Sequence, residues 1–222
     1  MQVATQNSTV PKLRFKEFGG EWEEKTLGQT SEIIGGGTPE TNNITYWHGE
    51  IQWFTPTELK SKYVSVSKRT ITELGLKKSS AKLLPEGTLL FSSRATVGDV
   101  AITKNICTTN QGFQSFIVNK ENETEFLYNW IIQNKNEFIK KSSGSTFLEI
   151  SKKEIQKLKL YLPTLPEQKK IASFLSAVDE RIQQLERKKS LLEVYKKGVM
   201  RQLFSQEIRF KDENGNQFPD WE

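Results

Sequence analysis

Between Pro166 and Gly198 the chain carries neither proline nor glycine, and through this stretch an apolar residue returns at every seventh position: Ile171, Val178, Leu185, Leu192 and Val199. A second row, offset by four, holds Leu175, Ile182 and Leu203, with Lys189 and Lys196 interrupting it. A mean spacing of about 3.5 residues belongs to a helix whose apolar seam winds around another helix. Thr164, three residues before Glu167, supplies the two ends of a capping box, and Pro166 is tolerated in a first helical turn. Residues 164–204 are therefore expected to form one long spacer and dimerisation helix. At 1.5 Å per residue its 39 residues after Leu165 span roughly 58 Å, too long for one flat contact with a domain of this size.

The two ends of the chain resemble each other. Leu13-Arg14-Phe15-Lys16-Glu17, followed by Gly19-Gly20-Glu21-Trp22-Glu23, returns as Ile208-Arg209-Phe210-Lys211-Asp212, with Gly215 and then Asp220-Trp221-Glu222. The offset is 195 at Phe15/Phe210 and 199 at Trp22/Trp221. Two landmarks in order indicate a tandem architecture in which residues 205–222 are the start of a second unit. Residues 1–12 are expected to be a disordered or tag-like tail.

Residues 13–163 read differently. Turn punctuation is frequent (Gly35-Gly36-Gly37-Thr38-Pro39, Pro85-Glu86-Gly87, Gly98-Asp99), and short apolar runs lie between, such as Thr88-Leu89-Leu90-Phe91, Val100-Ala101-Ile102 and Phe116-Ile117-Val118. One helix is expected from about Glu123 to Lys141, with Phe126, Leu127, Trp130, Ile131 and Phe138 on one face. The fold class is α+β: a mixed, β-rich domain followed by a long α-helix that pairs with another long helix in a coiled coil.

Little here can do chemistry. The single cysteine, Cys107, excludes an intramolecular disulfide, and with the single histidine, His48, it cannot complete a tetrahedral zinc site. His48 reads as a packed loop residue and Cys107 as a small buried side chain. There is no phosphate-binding GxxxxGK[ST] loop, no dinucleotide glycine spacing, and no Asn-Pro-Pro or Asp-Pro-Pro of the kind that holds a target amine for methyl transfer. Glu-x-Lys strings at Glu58, Glu167 and Glu186 all precede the only Pro-Asp, Pro219-Asp220, which argues against a magnesium nuclease. No run approaches ~18 apolar residues, and MQVATQNSTV lacks the parts of a signal peptide, so a cytoplasmic protein is expected. With 32 basic and 27 acidic side chains, the net charge of +5 is compatible with a polyanionic partner without requiring one.

What remains is a surface suited to binding. Phe91-Ser92-Ser93-Arg94-Ala95-Thr96-Val97-Gly98, Thr108-Thr109-Asn110-Gln111-Gly112 and Lys140-Lys141-Ser142-Ser143-Gly144-Ser145 are polar turns between apolar runs. Arg, Asn and Gln can make paired contacts to base edges, while Ser, Thr and Lys suit phosphates.

An ordered set of motifs over residues 11–222 resembles the specificity subunit of type I restriction–modification systems. It comprises Pro11-Lys12-Leu13-Arg14-Phe15 with Glu21-Trp22-Glu23-Glu24-Lys25-Thr26-Leu27-Gly28, Gly36-Gly37-Thr38-Pro39, Tyr46-Trp47, and Ile51-Gln52-Trp53 with Thr55-Pro56. It continues through Leu84-Pro85-Glu86-Gly87-Thr88, Phe91 to Gly98, Thr109 to Phe113, Leu165-Pro166-Glu167-Gln168-Lys169-Lys170-Ile171-Ala172 and Tyr195-Lys196-Lys197-Gly198-Val199-Met200.

The resemblance implies a non-catalytic DNA-recognition subunit, in which two recognition domains on two antiparallel helices each read half of a split site. It implies methyltransferase subunits, which hold S-adenosylmethionine and methylate adenine, and ATP- and magnesium-dependent restriction subunits; no cofactor is expected in this chain. With one recognition domain and one helix, the chain is expected to pair with itself or with another half through Ile171, Leu175, Val178, Ile182, Leu185, Leu192, Val199 and Leu203. Thr38, Ser92, Ser93, Arg94, Asn110 and Gln111 match recurrent motifs and are expected at or beneath the DNA face. If those residues hold the fold instead, Lys60, Lys62, Lys77, Lys78 and Ser79 are the candidates for phosphate and base contacts. A stand-alone homodimeric DNA-binding regulator and a nuclease are the alternatives.

Overall fold

In the computed structural model, which describes residues 10–144 and 148–219, the short apolar runs become strands. In chain order the elements are β1 (Glu23–Thr26), α1 (Leu27–Thr30), β2 (Ser31–Gly35), β3 (Trp47–Phe54), β4 (Tyr63–Val64), β5 (Arg69–Ile71), α2 (Glu73–Lys77), β6 (Leu89–Phe91), β7 (Val100–Thr103), β8 (Cys107–Thr109), β9 (Gln114–Val118), α3 (Thr124–Gln133), α4 (Lys135–Lys140), α5 (Lys152–Lys157), β10 (Lys159–Leu162) and α6 (Leu165–Phe204). The strands make a five-stranded sheet in the order β2-β9-β6-β7-β4, a three-stranded sheet β5-β3-β8, and the pair β1-β10.

β6 lies at the centre of the larger sheet with every residue buried, which is why it reads as an unbroken apolar run rather than an alternating one. Its neighbours in sequence still point to opposite faces. Leu89 and Phe91 join a core with Leu27, Ile33, Phe116, Leu127, Ile131 and Phe138, whereas Leu90 joins Phe54, Leu84, Ala101, Cys107 and Phe113. Cys107 is fully buried, and burial pushes its thiol up to about 11. A third cluster, Trp47, Trp53, Ile71 and Ala81, lies under β3 and β5, where Arg69 stacks 3.5 Å above the Trp47 ring.

Three local expectations need correction. The helix predicted over Glu123–Lys141 is two helices: Asn134 leaves the helical conformation (φ −103°, ψ 18°) and its amide donates to the Trp130 carbonyl at 2.8 Å. An asparagine side chain that competes for backbone in this way ends a helix without glycine or proline. His48 is exposed rather than packed; it takes a left-handed φ of 63° within β3, where the register against β5 shifts between Trp47 and Ile51. Glu167 does not close a capping box: its described bonds both go to Arg14.

That contact fixes the start of the long helix. Arg14 Nε donates to Glu167 Oε1 at 2.8 Å and an Arg14 terminal nitrogen to Oε2 at 2.7 Å, while the same guanidinium donates to the carbonyls of Gly19 and Gly20. Glu167, Gln168 and Ala172 are buried, and Ile171 packs on the core. The chain accordingly divides into two compact units, 1–172 and 173–222, with the boundary inside α6 rather than ahead of it.

In the second unit the seam residues Val178, Ile182, Leu185 and Leu192 are exposed, as are Phe174 and Tyr195. α6 stops through Gln206, whose left-handed φ of 61° lets its N–H reach the Leu203 carbonyl. Beyond it Arg209 donates to the carbonyls of Phe218 and Pro219, and Asp212 closes a turn by accepting from the backbone N–H groups of Asn214 and Asn216. The expected tail 1–12 lies outside the described residues up to position 9, as do Trp221 and Ser145. Among the described residues no helix is long and apolar enough to cross a membrane.

Candidate nucleic-acid interface

Three turns converge at one end of the two larger sheets. The glycine turn after β2 meets the turn after β8: Gly37 N–H donates to the Thr109 carbonyl at 2.8 Å, and the Thr38 hydroxyl donates to the Gln111 side-chain carbonyl. The approach needs glycine, since a Cβ on Gly36 would stand 2.0 Å from the Asn110 carbonyl oxygen. Trp53 holds this turn from below, its indole N–H donating to the Gly37 carbonyl at 2.9 Å.

The turn after β6 joins through Ser93, whose N–H donates to the Gly112 carbonyl at 2.8 Å. Ser92 and Ser93 are buried. The Ser92 hydroxyl is shared with Thr96 at 2.9 Å and that of Ser93 donates to Gly112. These two serines lie beneath the surface and knit the turns together. Asn110 likewise spends its side-chain oxygen on the N–H of Gly112 at 2.9 Å, an Asx turn. Gln111, Arg94, Ala95 and Thr96 are exposed at the top. Ala95 has a left-handed φ of 62°, a conformation costly for a residue with a Cβ, and its N–H donates to the Leu148 carbonyl. Arg94 lies 3.7 Å from Glu149, both about half exposed, an ion pair that solvent screens.

The second set of candidates divides in two. Lys77 and Lys78 end α2 and are exposed, next to the glycine turn, because Ser80 and Ala81 pack directly on Gly37. Ser79 is half-buried and its hydroxyl accepts from the N–H of Ala81. Lys60 and Lys62 lie elsewhere, lining a shallow polar cavity of about 400 Å³ with Asp99, Tyr128 and Lys135. Lys62 bonds to Glu125 at 3.2 Å and lies 5.5 Å from the Tyr128 ring centroid. Lys135 pairs with Asp99 at 2.6 Å. The turn bearing Arg94 reaches this cavity through the Ser92–Asp99 backbone bonds.

The assembly offers exposed amide, hydroxyl and cationic groups on a rigid, internally bonded base, and among the described residues no cluster of three His, Cys, Asp or Glu side chains is placed to hold a metal. Sequence reasoning missed two residues. Arg69 on Trp47 carries no spacing signal, and the partner of Arg14 lies 153 residues away.

Comparison with known proteins agrees on a single lineage. The family profile of the type I restriction modification DNA specificity domain matches residues 19–194. The type I restriction enzyme MjaIX specificity subunit of Methanocaldococcus jannaschii is 36% identical over 87% of this chain and 46% of its own length. A type I restriction enzyme specificity subunit of Escherichia coli is 31% identical over 75% of this chain and 43% of its own. The chain thus spans about half the length of the curated relatives it matches. The fold is shared with the HsdS subunit from Thermoanaerobacter tengcongensis, at a TM-score of 0.61 with 21% identity, covering 77% of this chain and 40% of that one. A chain from a structure of a type I R-M system in complex assembly is alike at a TM-score of 0.66 with 23% identity, covering 82% and 44%. By sequence and by fold, this chain belongs to the type I restriction modification DNA specificity domain family.

Proposed function

We propose that this chain is one half of a specificity scaffold, a non-catalytic subunit that reads one half of a split DNA site and aims adenine methylation and restriction at it. The observation that carries this reading is the pairing of one turn cluster with one long helix whose apolar seam is exposed from Val178 to Leu192. Thr38, Gln111 and Arg94 are assigned to base edges, and Lys60, Lys62, Lys77 and Lys78 to phosphates. Ser79, Ser92, Ser93 and Asn110 hold the turns in place. Two copies, or this chain and another half, present two readers through an antiparallel pair of helices. Methyltransferase and restriction subunits dock on that scaffold in the cytoplasm and bring S-adenosylmethionine, ATP and magnesium; this chain binds none of them.

The test is to co-express the chain with its methyltransferase subunit and map modified adenines on plasmid DNA. An interrupted palindrome is expected when identical copies pair, and two different half-sites when another half joins. A folded, dimeric chain that binds DNA yet directs no modification would overturn the reading in favour of a stand-alone regulator.

A further inference from the structure

The second unit repeats the loop closure that accompanies the clamp at the start of α6. In the first unit, Arg14 closes its own loop on the carbonyls of Gly19 and Gly20 while holding Glu167, and Phe15 lies under Lys170, 5.5 Å from the ring centroid. Lys170 also reaches Glu17 at 3.5 Å. In the second unit, Arg209 closes its loop on Phe218 and Pro219. These residues stand 199 positions beyond Gly19 and Gly20, the offset that also separates Trp22 from Trp221. The four extra residues fall within the turn closed by Asp212. The correspondence is thus conformational: the same arginine pins the same two carbonyl positions.

The loops differ in what covers them. Phe15 is half-buried, but its counterpart Phe210 is 73% exposed. Phe210 stands with Leu203, Phe204, Ile208 and Phe218 around an apolar cavity of about 450 Å³. A loop of this shape already has a known seat, the first turn of α6 around Glu167 and Lys170. The sequence Leu-Pro-Glu-Gln-Lys-Lys that forms that turn occurs once in the chain, at 165–170, where residues 13–20 occupy it. A second copy of this chain carries the same seat.

We propose that residues 208–219 are a docking arm for a second copy of this chain. The arm seats on the first turn of the second copy's α6, with Arg209 toward the carboxylate at position 167 and Phe210 against Lys170. It competes there with that copy's own residues 13–20. This inference rests on the antiparallel pairing proposed above, because only that arrangement carries the C-terminal end of each α6 to the first turn of the other. Opposite charge joins Arg209 to Glu167, and Phe210 regains the cation contact that Phe15 makes.

The test uses the full chain with Phe210→Cys and Lys170→Cys together, oxidised under mild conditions and run on a non-reducing gel. A covalent dimer is expected at a level at least about tenfold above a control carrying Leu74→Cys with Lys170→Cys, as befits groups held at millimolar effective concentration. Adding Arg14→Ala, which weakens the competing clamp, raises the dimer further. Phe15→Cys with Lys170→Cys closes within one chain and keeps monomer mass. Sedimentation of the uncross-linked protein separates the two proposals. A dimer in solution that cross-links no better than the control overturns the arm and leaves helix pairing standing; a monomer overturns both.

Discussion

Arg14 and Glu167 meet in a two-point ion pair across 153 residues of chain, with the Glu167 side chain 1% exposed and that of Arg14 13%. A carboxylate so placed depends on its cation, because a buried charge left without a partner is far costlier than the pair. Arg14→Ala is expected to lower the thermal midpoint of the protein clearly, and Arg14→Lys to restore only part, since an ammonium cannot serve both carboxylate oxygens and the Gly19 and Gly20 carbonyls. Paired melting curves check this; equal midpoints for Arg14→Ala and the parent would refute it.

Gly36→Ala puts a Cβ against the Asn110 carbonyl oxygen at 2.0 Å. The clash falls on backbone, so the turns must separate, at about 1–3 kcal/mol. Denaturant unfolding gives that loss, and the same variant should bind DNA more weakly because Gln111 moves with its turn.

Ala95→Gly should stabilise. The left-handed φ of 62° costs an alanine roughly 1–2 kcal/mol, part of which the greater freedom of glycine in the unfolded chain offsets. A rise of about 0.5–1 kcal/mol in unfolding free energy is expected, and Ala95→Val should move the other way.

Arg94→Ala is expected to leave fold and oligomeric state intact while weakening DNA binding. If the guanidinium touches a phosphate, the slope of log affinity against log salt falls by about 1; if it reads a guanine, discrimination falls by about 1–3 kcal/mol at one base pair. Titrations at several salt concentrations tell the two apart, and unchanged affinity removes Arg94 from the interface.

The seam makes a prediction of opposite sign at two positions. Leu185→Asp should weaken self-association at least about tenfold, the effect of about 1.4 kcal/mol, while Lys189→Leu, which fills a gap in the second apolar row, should tighten it. Sedimentation equilibrium reads both.

Cys107 supplies a pH test. Its thiol is pushed up to about 11 from 9.0 by burial. Between those values the unfolded chain has released the proton and the folded chain still holds it, so the thiol's contribution to stability is complete below about 9 and is lost as pH rises through 11. At pH 8 a thiol reagent should label Cys107 only as fast as the domain opens; immediate labelling of the folded protein would contradict the burial.

The readable parts of this fold were those governed by short-range pattern. The α6 heptads and the β6, β7 and β9 apolar runs have the period of the surface they bury, so position along the chain reveals them. β3 was not legible as a strand because His48 and Gly49 read locally as a turn, and a bulge set by pairing with β5 absorbs them. The site was half legible. The turns bearing Thr38, Arg94 and Gln111 stand out by composition, but Ser93 is buried against Gly112, 19 residues on, which only the folded chain brings within reach. Ile171 continued the heptad in sequence and yet was drawn into the first unit's core.

β1 and β10 run antiparallel, with Glu23 opposite Leu162 and Thr26 opposite Lys159. The polypeptide therefore leaves its framework and returns to it at neighbouring points, and the three converging turns all belong to the excursion between. Such an excursion behaves as a cassette. Replacing the sequence between these two strands exchanges all of those turns together and leaves the residues of the Arg14–Glu167 clamp and of the helical seam unaltered. What the turns present and how the long helix is anchored are thus carried by separate stretches of sequence, so either can change while the other stays as it is.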